Sequence, residues 1–579
     1  MPSSAHEPLI AEPRLPRFSF EGGQQTAPVR YGVPLEGQWD EEHAVYDCLG
    51  RPEDSTAHPD TVPLRRKQLE EIVVAFNGDD DRRNPLQWTQ RKKWGITLLV
   101  SLFTFVSPVS TTMVTPALPD IGDQLGIPEG YRQQLVMSIF LLGYALGPFV
   151  LGPLSELYGR GRVLQCSNLM YLIFNTACGV AQTKEQLLTF RFLAGMGGSA
   201  PQALSNGVLA DMWTKETRGL GQSIYGYATW TAPCIAPIWG AFMAKSANWR
   251  WIFLSVSIFD AVLLFVSFFL LRETYAPVIL THEAAKIQKL LPASSAIVVR
   301  TEYDSKDRYS KILQKRLRLP LIMLFTHPAV QVPSLFRSYL YGTMYLVLST
   351  FPMVFEESYG QEPLVASLHY LALMVGFFIG LEISHRAIDK LYARLKSHHS
   401  LPPGTHGPPE WRLPPLILGG ILSPLGLLLY GWTAHSRTHW IAPDIGAILL
   451  GCGLIIAFQC TQAYTTDTYG ARYAASAGAV AAFTRTMCGF GFPLFATSIY
   501  EALSVGGGNS LLAGLSAVLL VGAAGGLWVW GEALRRVSKR GLDGEDGRYG
   551  IGCGPGEKGG VGCLDTSFLG VWRAWRAKG

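Results

Sequence analysis

Long apolar blocks separated by short polar loops fill the chain from about residue 96 to residue 531. A helix needs about 20 apolar residues to cross a bilayer, and on that template the pattern predicts twelve membrane spans. Spans 1 to 6 are predicted near 96–118, 132–154, 162–181, 186–211, 219–243 and 251–271. Spans 7 to 12 are predicted near 331–354, 364–384, 413–432, 440–466, 473–500 and 510–531. We therefore expect an all-α polytopic membrane protein.

The charges in the loops predict how the spans are oriented. Arg91, Lys92 and Lys93 precede span 1, whereas the loop after it carries Asp120 and Asp123. Lys and Arg collect on the cytoplasmic side of membrane proteins. The alternation continues with basic loops after spans 2, 4, 6, 8 and 12 and an acidic loop after span 7. Both termini are therefore expected in the cytoplasm.

Small residues recur at equivalent places in the two halves of the chain. Gly143 and Gly147 lie four apart in span 2, and Gly376 and Gly380 lie four apart in span 8. Such pairs let helix backbones approach closely, and their recurrence predicts two similar six-helix bundles that face each other across a cavity. The expected segments are a disordered cytoplasmic N-terminal tail 1–93, a first bundle 94–272, a cytoplasmic central loop 273–328, a second bundle 329–534 and a cytoplasmic C-terminal tail 535–579.

Composition agrees with a membrane protein and excludes several functions. Of the 579 residues, 48% are hydrophobic and 16% are charged, against about 25% charged in soluble domains. The bases lie between apolar blocks and the net charge is only +5, so nucleic acid is not an expected partner. The nine cysteines form no CxxC pair, which argues against a metal site. We find no Walker loop, GxSxG elbow or HExxH pair, so we expect no catalytic residues, no ATP and no cofactor.

The loop between spans 2 and 3 is a tight turn with one acid and two bases, and it reads GPLSELYGRGR from Gly152 to Arg162. This sequence resembles the signature loop of the major facilitator superfamily. The resemblance implies that Glu156 pairs with neighbouring helices and, with Arg160, holds the cytoplasmic side closed until transport breaks the contacts. Without the resemblance, the turn is a solvated loop whose bases set the topology. Gly161 stands where relatives commonly carry another base.

Spans 4 and 5 carry two further motifs of this kind. Arg191 begins RFLAGMGGSA in span 4, which is similar to the superfamily's proton-antiporter motif and implies that Arg191 lines the cavity and helps couple proton and substrate movement. Taken alone, Arg191 would be an arginine that extends its charged head to the nearby membrane surface. Pro233, Pro237 and Gly240 in span 5 resemble the antiporter motif of drug-efflux members, where kinks and small residues pack the halves tightly.

Other segments resemble one branch of the superfamily. They are NWRW from Asn248, RETYAP from Arg272, PEWRLP from Pro409 and HWIAP from His439. Together they are similar to the fungal twelve-span drug/proton antiporters, a branch that includes multidrug, polyamine and secondary-metabolite exporters. The resemblance covers residues 84–540 and implies the major facilitator fold, with 12 transmembrane helices in two six-helix bundles.

Two more ionisable residues lie deep in predicted spans. Asp260 is in the middle of span 6 and Arg485 in the middle of span 11, where neither can face lipid at low cost. A carboxyl group in an apolar setting can gain and lose a proton near neutral pH, so Asp260 is a candidate proton carrier, with structural pairing as the alternative. Arg485 is either a packing anchor or a group that attracts anions into the cavity.

Aromatic residues in spans 5 and 7 offer a candidate substrate surface. Trp230, Tyr341 and Tyr345 could stack on planar or cationic compounds. Aromatic residues also favour membrane interfaces, and this second interpretation applies to most aromatics of these spans.

These observations predict a secondary transporter. The leading hypothesis is a proton-coupled exporter, an antiporter that moves small amphipathic compounds such as drugs, toxins or fungal secondary metabolites by alternating access. The proton gradient is its energy source, and its expected partners are the substrate, protons and the lipid bilayer, with the protein acting as a monomer. We expect the plasma membrane, with the vacuolar membrane as the alternative. The competing hypotheses are an importer of the same fold for a small nutrient or polyamine, and a non-transporting membrane sensor.

Overall fold

The computed structural model describes residues 30–32, 71–76, 81–214, 217–291, 298–303, 309–399 and 407–543, and most of them are helical. The first half contains α1 (Gln90–Thr112), α2 (Leu118–Leu125), α3 (Tyr131–Tyr158), α4 (Arg160–Gly179), α5 (Lys184–Gly198), α6 (Ala200–Met212), α7 (Arg218–Ser246) and α8 (Trp249–Leu270). The predicted central loop holds α9 (Ala276–Leu290) and α10 (Tyr309–Thr326). The second half contains α11 (Pro328–Tyr359), α12 (Pro363–Leu368), α13 (Tyr370–His398), α14 (Pro414–His435), α15 (Ile441–Leu520) and α16 (Gly526–Asp543).

Helix length and hydropathy reproduce only part of the predicted span count. In the described part of the chain, seven helices are long and apolar enough to cross a membrane, or eight if the bent pair Leu317–Thr326 and Pro328–Tyr359 forms one span. The predicted count of twelve is therefore not fully confirmed. Span 4 shows one reason, because it consists of two short helices, α5 and α6, that meet at Ser199. Pro201, near the start of α6, lacks the N–H that would continue the helical ladder.

The longest described helical segment, α15, contains 80 residues. The chain reverses its direction within this segment, at Ser504. The φ angle of Ser504 is 61°, which a right-handed helix does not adopt. Asn509, just after this turn, packs on Gly431 near the end of α14, whereas Leu520 packs on Gly420 near the start of α14. The segment after Ser504 therefore runs antiparallel to α14, in agreement with the opposite directions predicted for spans 9 and 12.

Glycines bring equivalent helices into backbone contact in both halves. A Cβ atom at Gly143 would collide with the backbone oxygen of Phe192, so α3 and α5 approach closely. In the second half, a Cβ atom at Gly376 would collide with the backbone oxygen of Ile448, at the contact of α13 with α15. Spans 2 and 4 therefore pack as spans 8 and 10 do, which is consistent with the predicted duplication.

Three short strands form a parallel sheet in a unit of their own. The strands are β1 (Arg30–Gly32), β2 (Glu71–Ala75) and β3 (Val298–Thr301), in the order β1-β2-β3. Val74 of β2 packs against Leu280 and Ala284 of α9. The sequence pattern did not predict these strands, two of which lie in the segment expected as a disordered tail, because runs of three to five residues show too little alternation. Residues 1–29, 33–70, 77–80 and 544–579 of the predicted tails lie outside the described residues.

Candidate transport site

The turn between α3 and α4 is held by an acid that lies outside the sequence motif. Gly159 has a φ of 97°, a conformation that favours glycine. The carboxylate of Glu273 accepts hydrogen bonds from the backbone N–H groups of Arg160 at 2.9 Å and Gly161 at 3.2 Å. These are the first N–H groups of α4, and the positive end of a helix favours an anion. Glu273 therefore ties the end of span 6 to the loop between spans 2 and 3.

Arg160 joins the same loop to span 4. Its Nε lies 2.8 Å from Oδ2 of Asp211, and its guanidinium lies 5.1 Å from the ring centre of Tyr275. A Cβ atom at Gly207 would collide with this guanidinium, so glycine leaves the room that the arginine needs. We call the end of the helices that carries Arg160 the basic end, and the opposite end, which carries Glu362, the acidic end.

Glu156, the acid of the motif itself, is partly buried on the last turn of α3. The gating roles of Glu156 and Arg160 stay predictions. Glu273 and Asp211 were not assigned a role from the sequence. The RETYAP segment was the available signal for Glu273, whereas Asp211 meets Arg160 only through the fold.

Arg191 is fully buried inside the first bundle. Its Nη1, Nε and Nη2 donate to the backbone carbonyls of Ser110, Val136 and Met137 at 2.7, 3.1 and 3.2 Å. The ring of Phe140 lies 5.0 Å from the guanidinium. The side chain has no exposed surface, because carbonyl groups from spans 1 and 2 enclose it. Its place on the cavity and its part in proton coupling stay predictions.

Asp260 is buried between span 3 and span 6. Its Oδ1 accepts a hydrogen bond from Nδ2 of Asn168 at 2.8 Å. Its Oδ2 has no hydrogen-bond partner among the described residues. The carboxyl group therefore fits both interpretations made from the sequence, since it anchors α4 to α8 and keeps one oxygen open to a proton.

The predicted antiporter motif packs span 5 against span 1. Pro233 and Pro237 stand within α7, and the hydroxyl of Thr112 donates to the carbonyl of Pro233 at 3.2 Å. A Cβ atom at Gly240 would collide with the backbone oxygen of Met113. These contacts of Pro233 and Gly240 lie within the first bundle, whereas the resemblance implied packing between the halves.

The three predicted substrate residues lie where the two halves meet. The ring of Trp230, from the first half, is 4.9 Å from the ring of Phe458 and nearly perpendicular to it. The rings of Tyr341 and Tyr345 lie 4.9 Å apart on α11. All four side chains are buried. Because Phe458 and the two tyrosines belong to the second half, the aromatic contacts join the halves in the interior.

Two arginines flank the ring of Phe458. The Cζ atom of Arg485 is 5.3 Å from the centre of that ring and 5.2 Å from the ring centre of Tyr341. The Cζ atom of Arg337, on α11, is 4.2 Å from the Phe458 ring centre. Sequence reasoning singled out Arg485 and missed Arg337, although a charge inside span 7 was a signal of the same kind. We call these residues the central cluster: Trp230, Arg337, Tyr341, Tyr345, Phe458 and Arg485.

The halves also contact each other on both sides of the central cluster. Towards the basic end, the hydroxyl of Tyr227 donates to the carboxylate of Glu382 at 3.3 Å. At the acidic end, Nζ of Lys245 lies 2.6 Å from Oε2 of Glu362. Trp230 lies between Tyr227 and Lys245 on the same helix, so the halves touch on either side of it along this helix.

Two related helical halves around a buried aromatic and cationic centre define a membrane transporter of the major facilitator fold. Comparison with solved structures shows the same fold. The proton:xylose symporter XylE bound to 6-bromo-6-deoxy-D-glucose matches with a TM-score of 0.55 and 15% sequence identity, over 76% of this chain and 96% of XylE.

The family follows from comparison of sequences. The Major Facilitator Superfamily model matches residues 100–493, and the chain belongs to this superfamily. The efflux pump vrtL of Penicillium aethiopicum is 40% identical over 467 residues, which cover 81% of this chain and 91% of vrtL. The efflux pump radE of Floropilus chiversii is 33% identical over 487 residues, which cover 83% of this chain and 89% of radE. The protein is therefore a multi-pass membrane transporter of small molecules and not an enzyme.

Proposed function

We propose that the protein exports small amphipathic compounds in exchange for protons, by alternating access. The observation that carries this proposal is the central cluster, whose buried aromatic rings come from both halves, with contacts between the halves towards either end. Buried aromatic side chains bind planar apolar compounds through contact area and ring stacking. Breaking the contacts of one end at a time would expose the cluster to each side in turn. The names of vrtL and radE as efflux pumps favour export over import.

We infer that the inward proton gradient supplies the energy, without a bound cofactor. Asp260 is the proposed proton carrier, Arg191 and Arg485 couple its charge to substrate movement, and Glu156 and Arg160 gate the basic end. Because bases collect on the cytoplasmic side of membrane proteins, we propose that this end faces the cytoplasm, as do both chain termini. We propose a monomer in the plasma membrane, as is common for the resembling branch.

The test uses inside-out vesicles from a pump-deficient fungal host and a panel of planar amphipathic compounds. Uptake is measured with an imposed proton gradient, with ATP alone, and with the gradient plus a protonophore. We expect uptake that follows the gradient and collapses with the protonophore. Uptake that needs ATP, or that the protonophore leaves unchanged, would contradict proton-coupled export.

Matched tryptophan variants connect that uptake to the central cluster. Trp230→Ala removes a buried ring that contacts Phe458, so uptake should fall by about tenfold or more. Trp239→Ala, on the same helix, removes a ring that is 41% exposed and should leave uptake nearly unchanged. Equal losses in both variants would argue against the cluster as the substrate site.

A further inference from the structure

We propose that the central cluster binds an anionic group, so that the compounds carried are planar aromatic carboxylates. This inference rests on the proposed function but concerns the chemistry of the substrate, not the energy source. Its basis is the position of Arg337 and Arg485, two cations that share one ring in the interior of the protein.

Both guanidinium groups contact the same ring. Their Cζ atoms lie 4.2 and 5.3 Å from the ring centre of Phe458. Two like charges gathered around one buried ring repel, and this repulsion favours the presence of an anion that contacts both.

Both arginines have donor nitrogens without a hydrogen-bond partner among the described residues, although aromatic rings contact both guanidinium groups. Nε and Nη1 of Arg337 and Nε of Arg485 are buried without a hydrogen-bond partner among the described residues. Ion pairs to carboxylates are likewise missing for both arginines in the part of the chain that the structure describes. Buried charges left unpaired are strongly unfavourable. The same protein shows the alternative at Arg191, where backbone carbonyls accept from all three guanidinium nitrogens.

Two acids of the spans have other described partners. Asp260 binds Asn168 inside the first bundle, and Glu382 pairs with Tyr227 and Arg386 towards the basic end. The planar fork of a guanidinium matches the two oxygens of a carboxylate. A substrate carboxylate is therefore the group that fits the unpaired N–H donors of the central cluster.

The rings of the central cluster define the rest of the substrate. Trp230, Tyr341 and Phe458 offer aromatic faces from both halves, and these suit a planar aromatic body. Two cations at the same place disfavour polyamines and cationic drugs, because like charges in a desolvated site repel. Planar aromatic acids are therefore expected to bind where amines of the same shape are rejected.

The test measures equilibrium binding to the purified full-length protein. The probes are benzoate, 2-naphthoate and anthracene-9-carboxylate, each compared with its own primary amide. The wild type should bind the carboxylates about tenfold or more tightly than the amides. Arg485→Gln and Arg337→Gln should each remove this preference, and Arg485→Lys should restore part of it because it keeps the charge. Arg394→Gln, which changes an exposed arginine, should retain the full preference.

Two outcomes would overturn the inference. One is equal binding of carboxylates and amides by the wild type. The other is an unchanged preference in Arg485→Gln, which stays decisive even where Arg337→Gln fails to fold.

Vesicle uptake separates this inference from the proposed function. Proton-driven uptake of the amides alone would contradict the inference and leave export standing. Carboxylate binding that Arg485→Gln weakens, without proton-driven uptake of any carboxylate, would contradict export and leave the binding site standing.

Discussion

The role of a buried ionisable side chain depends on the hydrogen-bond partners that the fold places around it. Arg191 and Arg337 are both buried arginines of predicted spans, with 0% and 3% exposed surface. Carbonyl oxygens accept from all three nitrogens of Arg191, whereas two nitrogens of Arg337 have no partner in the described residues. Arg191 therefore stabilises the packing of its helices, whereas Arg337 has N–H donors that can bind a ligand.

Glu273 should be the acid that stabilises the signature loop. Glu273→Ala removes two hydrogen bonds to the first N–H groups of α4 and should lower the free energy of unfolding by about 1–2 kcal/mol. Thermal unfolding in detergent measures the change. Glu185→Ala, an acid in the first turn of α5 whose side chain is 71% exposed, should have little effect. Equal losses would show that Glu273 does not act as a cap.

Asp260→Asn tests the proton carrier. Asparagine keeps the volume and can still accept from Asn168, so we expect the protein to fold and to lose its gradient-driven uptake. Asp123→Asn, at an exposed position of α2, is the control for removal of one acid. Gradient-driven uptake that survives in Asp260→Asn would leave this carboxyl group with its structural role alone.

At the scale of the helix, span 5 packs closely against span 1 at Gly240. Gly240→Ala places a methyl group against the backbone oxygen of Met113, which cannot move far, so the free energy of unfolding should fall by about 1–3 kcal/mol. Gly226→Ala is a matched control on the same helix, because its Cβ atom would lie 3.8 Å from the nearest side-chain atom, in Leu381. This control should be neutral or stabilising by up to about 1 kcal/mol. Thermal unfolding of Gly240→Ala and Gly226→Ala under the same conditions measures both changes, and equal losses of stability would contradict the close contact at Gly240.

The helices also show what local sequence can and cannot predict. Apolar length predicted twelve spans, of which seven or eight are confirmed as long apolar helices in the described residues, and glycine spacing predicted the close contact at Gly143. The break in span 4 did not follow from the sequence, since Pro201 follows a break at Ser199 whereas Pro233 and Pro237 stand inside the continuous helix α7. A proline ends a helix or merely bends it according to how its neighbours satisfy the freed carbonyls. Whether a proline ends or bends a helix therefore depends on tertiary packing and not on the local sequence alone.

The central cluster was predicted in part for a related reason. Trp230, Tyr341 and Tyr345 were chosen because aromatic residues suit substrates, and the structure brings them to the interface of the halves. Phe458 carried no such signal, because an apolar residue in an apolar span looks like any other. Its importance comes from contacts with Trp230 and Arg337, which lie more than a hundred residues away in the chain.

At the scale of the whole molecule, an exposed ion pair between Lys245 and Glu362 links the halves at the acidic end. The hydrogen bond and the charge of Lys245 keep the pKa of Glu362 below its ordinary value. A lowered pKa means that the contact is complete above the usual titration range of glutamate and is lost only as the pH falls below it. Glu362→Gln should therefore loosen this end at pH 7.

Hydrogen–deuterium exchange in Pro363–Leu368 measures that loosening. Exchange should be faster in Glu362→Gln than in the wild type at pH 7, and the two proteins should become alike near pH 3. Glu357→Gln, in the last turn of α11 at the same end, is the control and should behave as the wild type at both pH values. Equal exchange at pH 7 would show that the ion pair does not restrain the halves.

The paired arginines of the central cluster also have an electrical consequence. A monoanion that leaves while one proton enters carries two elementary charges in the same direction, so an inside-negative membrane drives the exchange. Each charge is worth about 2.3 kcal/mol per 100 mV. In vesicles without any pH difference, a potassium diffusion potential of the matching sign should then drive uptake of 2-naphthoate, while potential of the opposite sign should suppress it. The membrane potential and the pH difference would then both drive export of the carboxylate.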